Sequence, residues 1–141
     1  MIKIGNTVIG EGFNTVPDTF SGKVAYPDGT RYWYKNGKLH RDDDPAVIGL
    51  YGPAVIGLDG YKAWYQDGEL HREDGPAMIY PGGTKIWYQN GKRHREDGPA
   101  AIHMNGDRVW WQDGELHRED GPAVVYTDGT RQWWKNGERY D

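Results

Sequence analysis

The chain has 141 residues and a formal net charge of −4, from 17 Lys and Arg against 21 Asp and Glu. That is one domain's length, with too little charge of one sign for a groove that holds polymeric nucleic acid. With no cysteine in the sequence, disulfides and thiolate chemistry are excluded, and the composition fits a reducing compartment. The first stretch, MIKIGNTVIGEGF, lacks the basic start and apolar core of a secretory signal, and no apolar segment reaches membrane-spanning length. The expectation is a cytoplasmic protein that does not meet a membrane.

Residues 1–21 fit no pattern that follows and are expected to form an N-terminal cap, because terminal repeats commonly differ from internal ones. From residue 22 the chain repeats. HREDGPA occurs at 71–77, 94–100 and 117–123, with HRDDDPA at 40–46. The motif histidines, His40, His71, His94 and His117, are separated by 31, 23 and 23 residues. The long step holds a local duplication, PAVIGLYG (45–52) followed by PAVIGLDG (53–60), and removing one copy restores the period of 23. The array therefore divides into 22–44, 45–75 with the eight-residue duplication, 76–98, 99–121 and a truncated unit, 122–141. Tyr140 stands in the histidine position of that last unit.

Each unit carries two turn signals between runs of β-branched and aromatic residues. The first is Asp28-Gly29, Asp59-Gly60, Gly82-Gly83, Asn105-Gly106 or Asp128-Gly129. The second is Asn36-Gly37, Asp67-Gly68, Asn90-Gly91, Asp113-Gly114 or Asn136-Gly137. Such pairs mark two-residue hairpin turns, in which both positions take φ > 0. With no helical periodicity, the expected fold is all-β: an elongated single-layer antiparallel β-meander built from hairpin repeats.

Two-residue loops at both turns set Tyr26 opposite Arg31, Val24 opposite Trp33, and Trp33 opposite His40, and opposite residues share a face. One face then carries the basic row Arg31, Lys62, Lys85, Arg108, Arg131 together with Trp33, Trp64, Trp87, Trp110, Trp133 and the histidines. The other carries Ala25, Ile56, Ile79, Ile102 and Val125, then Tyr34, Tyr65, Tyr88, Trp111 and Trp134, then Leu39, Leu70, Arg93, Leu116 and Arg139. A single bulge would swap these assignments downstream.

His-Arg-Glu-Asp combines base, cation and acids, which raises the question of an active site. A catalytic centre needs one closed constellation, whereas this motif comes in four copies. Equivalent histidines two strands apart lie about 10 Å from one another, too far to share a zinc whose ligands sit about 2 Å from the metal. A repeated bend answers better. Asp hydrogen-bonds its own backbone, Gly takes φ > 0, Pro opens the next strand, and Arg pairs with an acid of the neighbouring bend. No catalytic residue, metal site or cofactor is expected.

The WYKNGKLH stretch (33–40), WYQNGKRH (87–94) and the turns YPDGT and YTDGT resemble the MORN repeat (membrane occupation and recognition nexus) over about 22–141. The chain departs from that pattern where the family has H-G-x-G and this sequence has H-R-E-D-G-P. The HREDGPA form is similar to repeats of uncharacterised bacterial and phage proteins. The resemblance implies a sheet used for docking or dimerisation, with no catalysis by the repeat itself.

The functional expectation is a non-enzymatic binding protein, self-associating as a dimer, that captures a partner on the basic-tryptophan face. Stacking rings beside cations suit a phosphorylated or nucleotide-like ligand, as in a phage-type inhibitor that sequesters a signal molecule. The residues expected to bind are Trp64, Trp87, Trp110, Trp133, Lys85, Arg108, Arg131, His71, His94, His117 and His103, the last replacing the tyrosine of other units. Tyr65, Tyr88, Trp111, Trp134, Leu70 and Leu116 are expected to form an interface. The alternatives are a protein–protein scaffold without small ligand and, behind it, a hydrolase using the motif.

Overall fold

The computed structural model describes residues 2–4, 7–9, 16–26, 29–42, 45–49 and 61–141. Strands, turns and bends are the regular features among them, and no helix is long and apolar enough to cross a membrane. In unit 76–98, Met78–Ile79 pairs antiparallel with Lys85–Ile86. The chain then bends at Trp87, and Tyr88–Gln89 pairs with Lys92–Arg93 in a separate hairpin. The first pair joins a thirteen-stranded sheet whose strand path runs without closure from Ile2–Ile4 to Arg131–Gln132. Thr7–Ile9 lies parallel to residues 23–25, and every other pair in the sheet is antiparallel.

The hairpins form a second row, stitched unit to unit. The amide of Gly91 donates to the carbonyl of Leu70, Gly114 to Arg93 and Gly137 to Leu116, each at 2.9 Å. At the second turn of each unit both residues take positive φ, as at Asn90 (50°) and Gly91 (79°). These are the two-residue turns that Asn-Gly and Asp-Gly signal.

The first turn differs from expectation. Tyr80 donates its amide to Thr84 and Gly83 donates to Tyr80, both at 2.9 Å, and only Gly83 of this loop has positive φ, at 105°. The loop therefore holds three residues, a turn over Pro81-Gly82 followed by a left-handed glycine bulge. The extra residue moves the first strand by one. Tyr26 faces Thr30 rather than Arg31, and Val24 faces Tyr32 rather than Trp33. Consequently Ile79, Ile102 and Val125 share a face with the basic row instead of opposing it: Ile79 pairs with Lys85, Ile102 with Arg108, Val125 with Arg131. Val24, Ala63, Ile86, Ala101 and Val124 form the buried column of the other face.

The core is thin. Ala46, Ala77, Ala100 and Ala123 have no exposed surface, and Val24 is the largest fully buried side chain among the described residues. Each of these alanine carbonyls accepts the backbone amide of the preceding unit's tryptophan, from Trp33, Trp64, Trp87 and Trp110. Stability is distributed along neighbouring units, as a repeat architecture requires.

Within the duplication, the first copy supplies the strand. Val47–Gly49 bridges Arg31–Tyr32 on one side and residues 61–63 on the other. The second copy, 53–60, lies outside the described residues. Deleting 45–52 places an identical Pro-Ala-Val-Ile in the same phase. The shortened chain is expected to keep its β-sheet circular dichroism and its unfolding free energy within about 1 kcal/mol, the size of ordinary loop-length effects.

Tyr61 stacks near Tyr80, with centroids 5.3 Å apart. Burial, reinforced by neighbouring tyrosines, pushes the phenols of Tyr34, Tyr61 and Tyr65 above their ordinary value. Unfolded tyrosines release protons near pH 10 while these three hold theirs, so the native state binds more protons and stability falls as pH rises above 10. Urea midpoints measured from about pH 9 to about pH 11 are expected to drop, and to drop less in Tyr61→Phe.

Candidate functional site

The repeated bend is built from contacts within its own unit and one contact to the next. In each motif the histidine amide closes on the tryptophan carbonyl across the hairpin, as His94 on Trp87 at 3.1 Å. The ring then bridges two units. Nδ1 of His94 accepts the backbone amide of Asp113 at 3.0 Å, and Nε2 lies 2.6 Å from Glu96. His71 does the same with Asn90 and Glu73, and His117 with Asn136 and Glu119. His40 accepts from Asp67, with Asp42 at its Nε2. A backbone amide can only donate, so Nδ1 carries no proton and Nε2–H donates to the carboxylate. Both ring nitrogens are engaged. The His117 hydrogen bond, with Lys135 3.5 Å away, holds the Glu119 carboxyl below its usual range.

The arginine that follows turns inward. Arg95 lies 4.0 Å above the Trp87 ring, donates Nε–H to Asp97 at 3.1 Å, and donates from its NH1 nitrogen to the carbonyl of Pro99 at 3.1 Å. Arg72 and Arg118 repeat this over Trp64 and Trp110, each at 3.9 Å, and Arg41 lies over Trp33 at 3.9 Å. At Arg72, Arg95 and Arg118 the acid partner belongs to the same bend, so there the expected rail of ion pairs between neighbouring bends is replaced by pairs within the bend. Stacking of this kind contributes about 0.5–2 kcal/mol per pair.

The bend glycine also has a different cause from the expected one. Gly75, Gly98 and Gly121 are absent from the residues with positive φ. A Cβ at each would come within 3.0 Å of Cζ of Arg72, Arg95 and Arg118 respectively. Glycine leaves room for the guanidinium packed against it, which a Cβ would push aside. Asp44, the residue in that place in the first motif, lies outside the described residues.

Between successive bends open two equivalent clefts of about 680 Å³. Trp87 and Gln89 lie in the first, between the bends at 72–76 and 94–97, and Trp110 and Gln112 occupy the same places in the second. The glutamines are held by the bend of the preceding unit, Gln89 donating to the Arg72 carbonyl at 3.2 Å and Gln112 to that of Arg95 at 2.9 Å. At the mouth the charge is negative. The side chains of Glu73, Asp74, Glu96 and Asp97 are 74–87% exposed, whereas Arg72 and Arg95 are tucked under at 23% and 24%.

The expected binding residues separate into distinct places. Trp87, Trp110, His94 and His117 meet at the clefts. Trp64 and His71 are buried, and the Trp64 indole N–H has no hydrogen-bond partner. Lys85, Arg108 and Arg131 stand exposed on the main sheet, and only Arg108 approaches an expected tryptophan, 5.8 Å from Trp110. Trp133 is half-buried, and His103 is exposed beside its own turn. Tyr65, Tyr88, Trp111 and Trp134 sit half-buried on the hairpins, opposite Leu70, Arg93, Leu116 and Arg139. Sequence reasoning missed the motif arginines as tryptophan partners. The available signal was an Arg-x-x-Gly spacing in three of the four motif copies.

No family model matches the chain. A stretch of 23 residues is 74% identical to part of an uncharacterised protein of Acanthamoeba polyphaga mimivirus, covering 16% of this chain and 6% of that protein. The length of the match equals one repeat period.

If the glycine exists for the guanidinium, Gly98→Ala should cost about 1–2 kcal/mol in urea unfolding by displacing Arg95 from Trp87. The same substitution should cost almost nothing in an Arg95→Ala background, a coupling that a double-mutant cycle reads directly.

Proposed function

We propose that this chain is a non-enzymatic docking protein that holds a protein partner along its ladder of clefts. What carries the reading is the state of the motif groups. The histidine nitrogens and arginine guanidiniums are engaged inside the fold, while carboxylates line the cleft mouths. A base with both nitrogens occupied has no free position for proton transfer to a substrate. Carboxylates at a cleft mouth repel phosphate and favour cationic side chains. A partner bearing lysine or arginine therefore fits better than an anionic small molecule. The likeness to MORN repeats agrees with docking as the use of such an array.

Capture of a phosphorylated ligand stays as the second reading, moved to the exposed row of Lys85, Arg108 and Arg131, where no carboxylate of the described residues pairs with the cations. Calorimetry separates the two. Short lysine- and arginine-rich peptides should give heat, weakened at least about fivefold in Glu96→Gln with Glu119→Gln, a loss of about 1 kcal/mol. Mono-, di- and cyclic nucleotides should give none. Nucleotide heat that disappears in Arg108→Ala would put the second reading first.

A further inference from the structure

One face of the main sheet carries a row that no part of the described chain neutralises. Running across the strands, the register places Lys62, Ile79, Lys85, Ile102, Arg108, Val125 and Arg131 side by side. The four cations are exposed and the three aliphatic residues between them half-buried. No ion pair of the described residues involves Lys62, Lys85, Arg108 or Arg131. With strands about 4.8 Å apart, successive cations recur about every 10 Å.

The bends carry the complementary row. With histidine neutral, each Arg-Glu-Asp bend bears a net charge of −1, and its carboxylates are 72–88% exposed at Glu73, Asp74, Glu96, Asp97, Glu119 and Asp120. Both rows advance one charge per unit, so their spacings match by construction. A foreign acidic segment would have to reproduce that spacing independently.

We propose that a second copy of this chain docks its row of bend carboxylates onto the Lys62-Lys85-Arg108-Arg131 row. This rests on the docking reading and gives it a partner. Two different patches meet, so the contact is heterologous and continues into larger assemblies unless a two-fold closes it. Single exposed ion pairs are weak, and the association depends on several forming together along the row. It is therefore steeply sensitive to salt, because the screening length shrinks to about 3 Å at 1 M.

Sedimentation equilibrium of the full chain is the test. Self-association at low salt should weaken by about tenfold or more on raising salt towards 1 M. It should vanish in Lys85→Glu with Arg108→Glu and also in Glu96→Lys with Glu119→Lys. Mixing the two charge-reversed variants should restore it, since each then offers the row that the other lacks. Circular dichroism checks that each variant is folded; the first changes only exposed sheet positions and carries the test alone if the bend variant fails to fold. Association that survives Lys85→Glu with Arg108→Glu, or that ignores salt, overturns the proposal. A chain monomeric at low salt overturns it too. If that monomer binds an oligolysine peptide and loses it in Glu96→Lys with Glu119→Lys, the docking reading stands without a second copy; if it binds none, both fall.

Discussion

An unprotonated imidazole nitrogen aimed at a backbone amide of the next unit is the contact on which the array depends. A 23-residue unit of this kind buries little by itself: among the described residues the fully enclosed side chains are alanines and, in the first unit, Val24. Order has to come from neighbours. Main-sheet hydrogen bonds join units on one side, and on the other His40, His71, His94 and His117 each fix the hairpin turn that follows. Because the amide donates to Nδ1, the remaining proton lies on Nε2 and the carboxylate two residues on holds it. A single residue thereby sets the geometry of its own bend and of the next hairpin.

The rest of the motif follows from making that ring's position reproducible. Arginine lies over the tryptophan at the corner between sheet and hairpin, its NH1 nitrogen closing the bend on the proline carbonyl. Glycine leaves room for the guanidinium, and aspartate occupies its Nε–H. What looks like acid, base and cation assembled for chemistry is a set of groups that satisfy one another. The charge left over is negative at the clefts and positive on the main sheet. Those two rows are where an account of function has to begin.

Much of this was legible in the sequence, and its limits have a physical cause. The all-β meander follows from the turn dipeptides and the missing helical period. The second turn is read correctly because Asn-Gly between strands has one common geometry, with both residues left-handed. Asp-Gly and Gly-Gly at the first turn serve two geometries, and the neighbours decide. Pro81 has fixed negative φ suited to the first central position of an ordinary turn, which makes Gly83 the bulge. The loops at 104–106 and 127–129 take the same form without proline, with positive φ at Gly106 and Gly129 alone, and the extra loop residue reversed which strand residues share a face with Lys85 and Arg108. The bend glycine was misread for a related reason: a Gly before Pro suggests backbone freedom, while the Arg-x-x-Gly spacing that marks its contact with the arginine three residues back is a side-chain packing cue that turn chemistry does not include.

The histidine tautomer tests the central claim most directly. Nitrogen-15 NMR of the uniformly labelled protein near neutral pH distinguishes protonated from unprotonated ring nitrogens. His71, His94 and His117 should each appear as a single neutral form, with the proton on Nε2 and Nδ1 in a hydrogen bond to the amide of Asn90, Asp113 or Asn136. Rings that average between tautomers like free imidazole, or that carry the proton on Nδ1, would contradict the account, because no amide could then be held there.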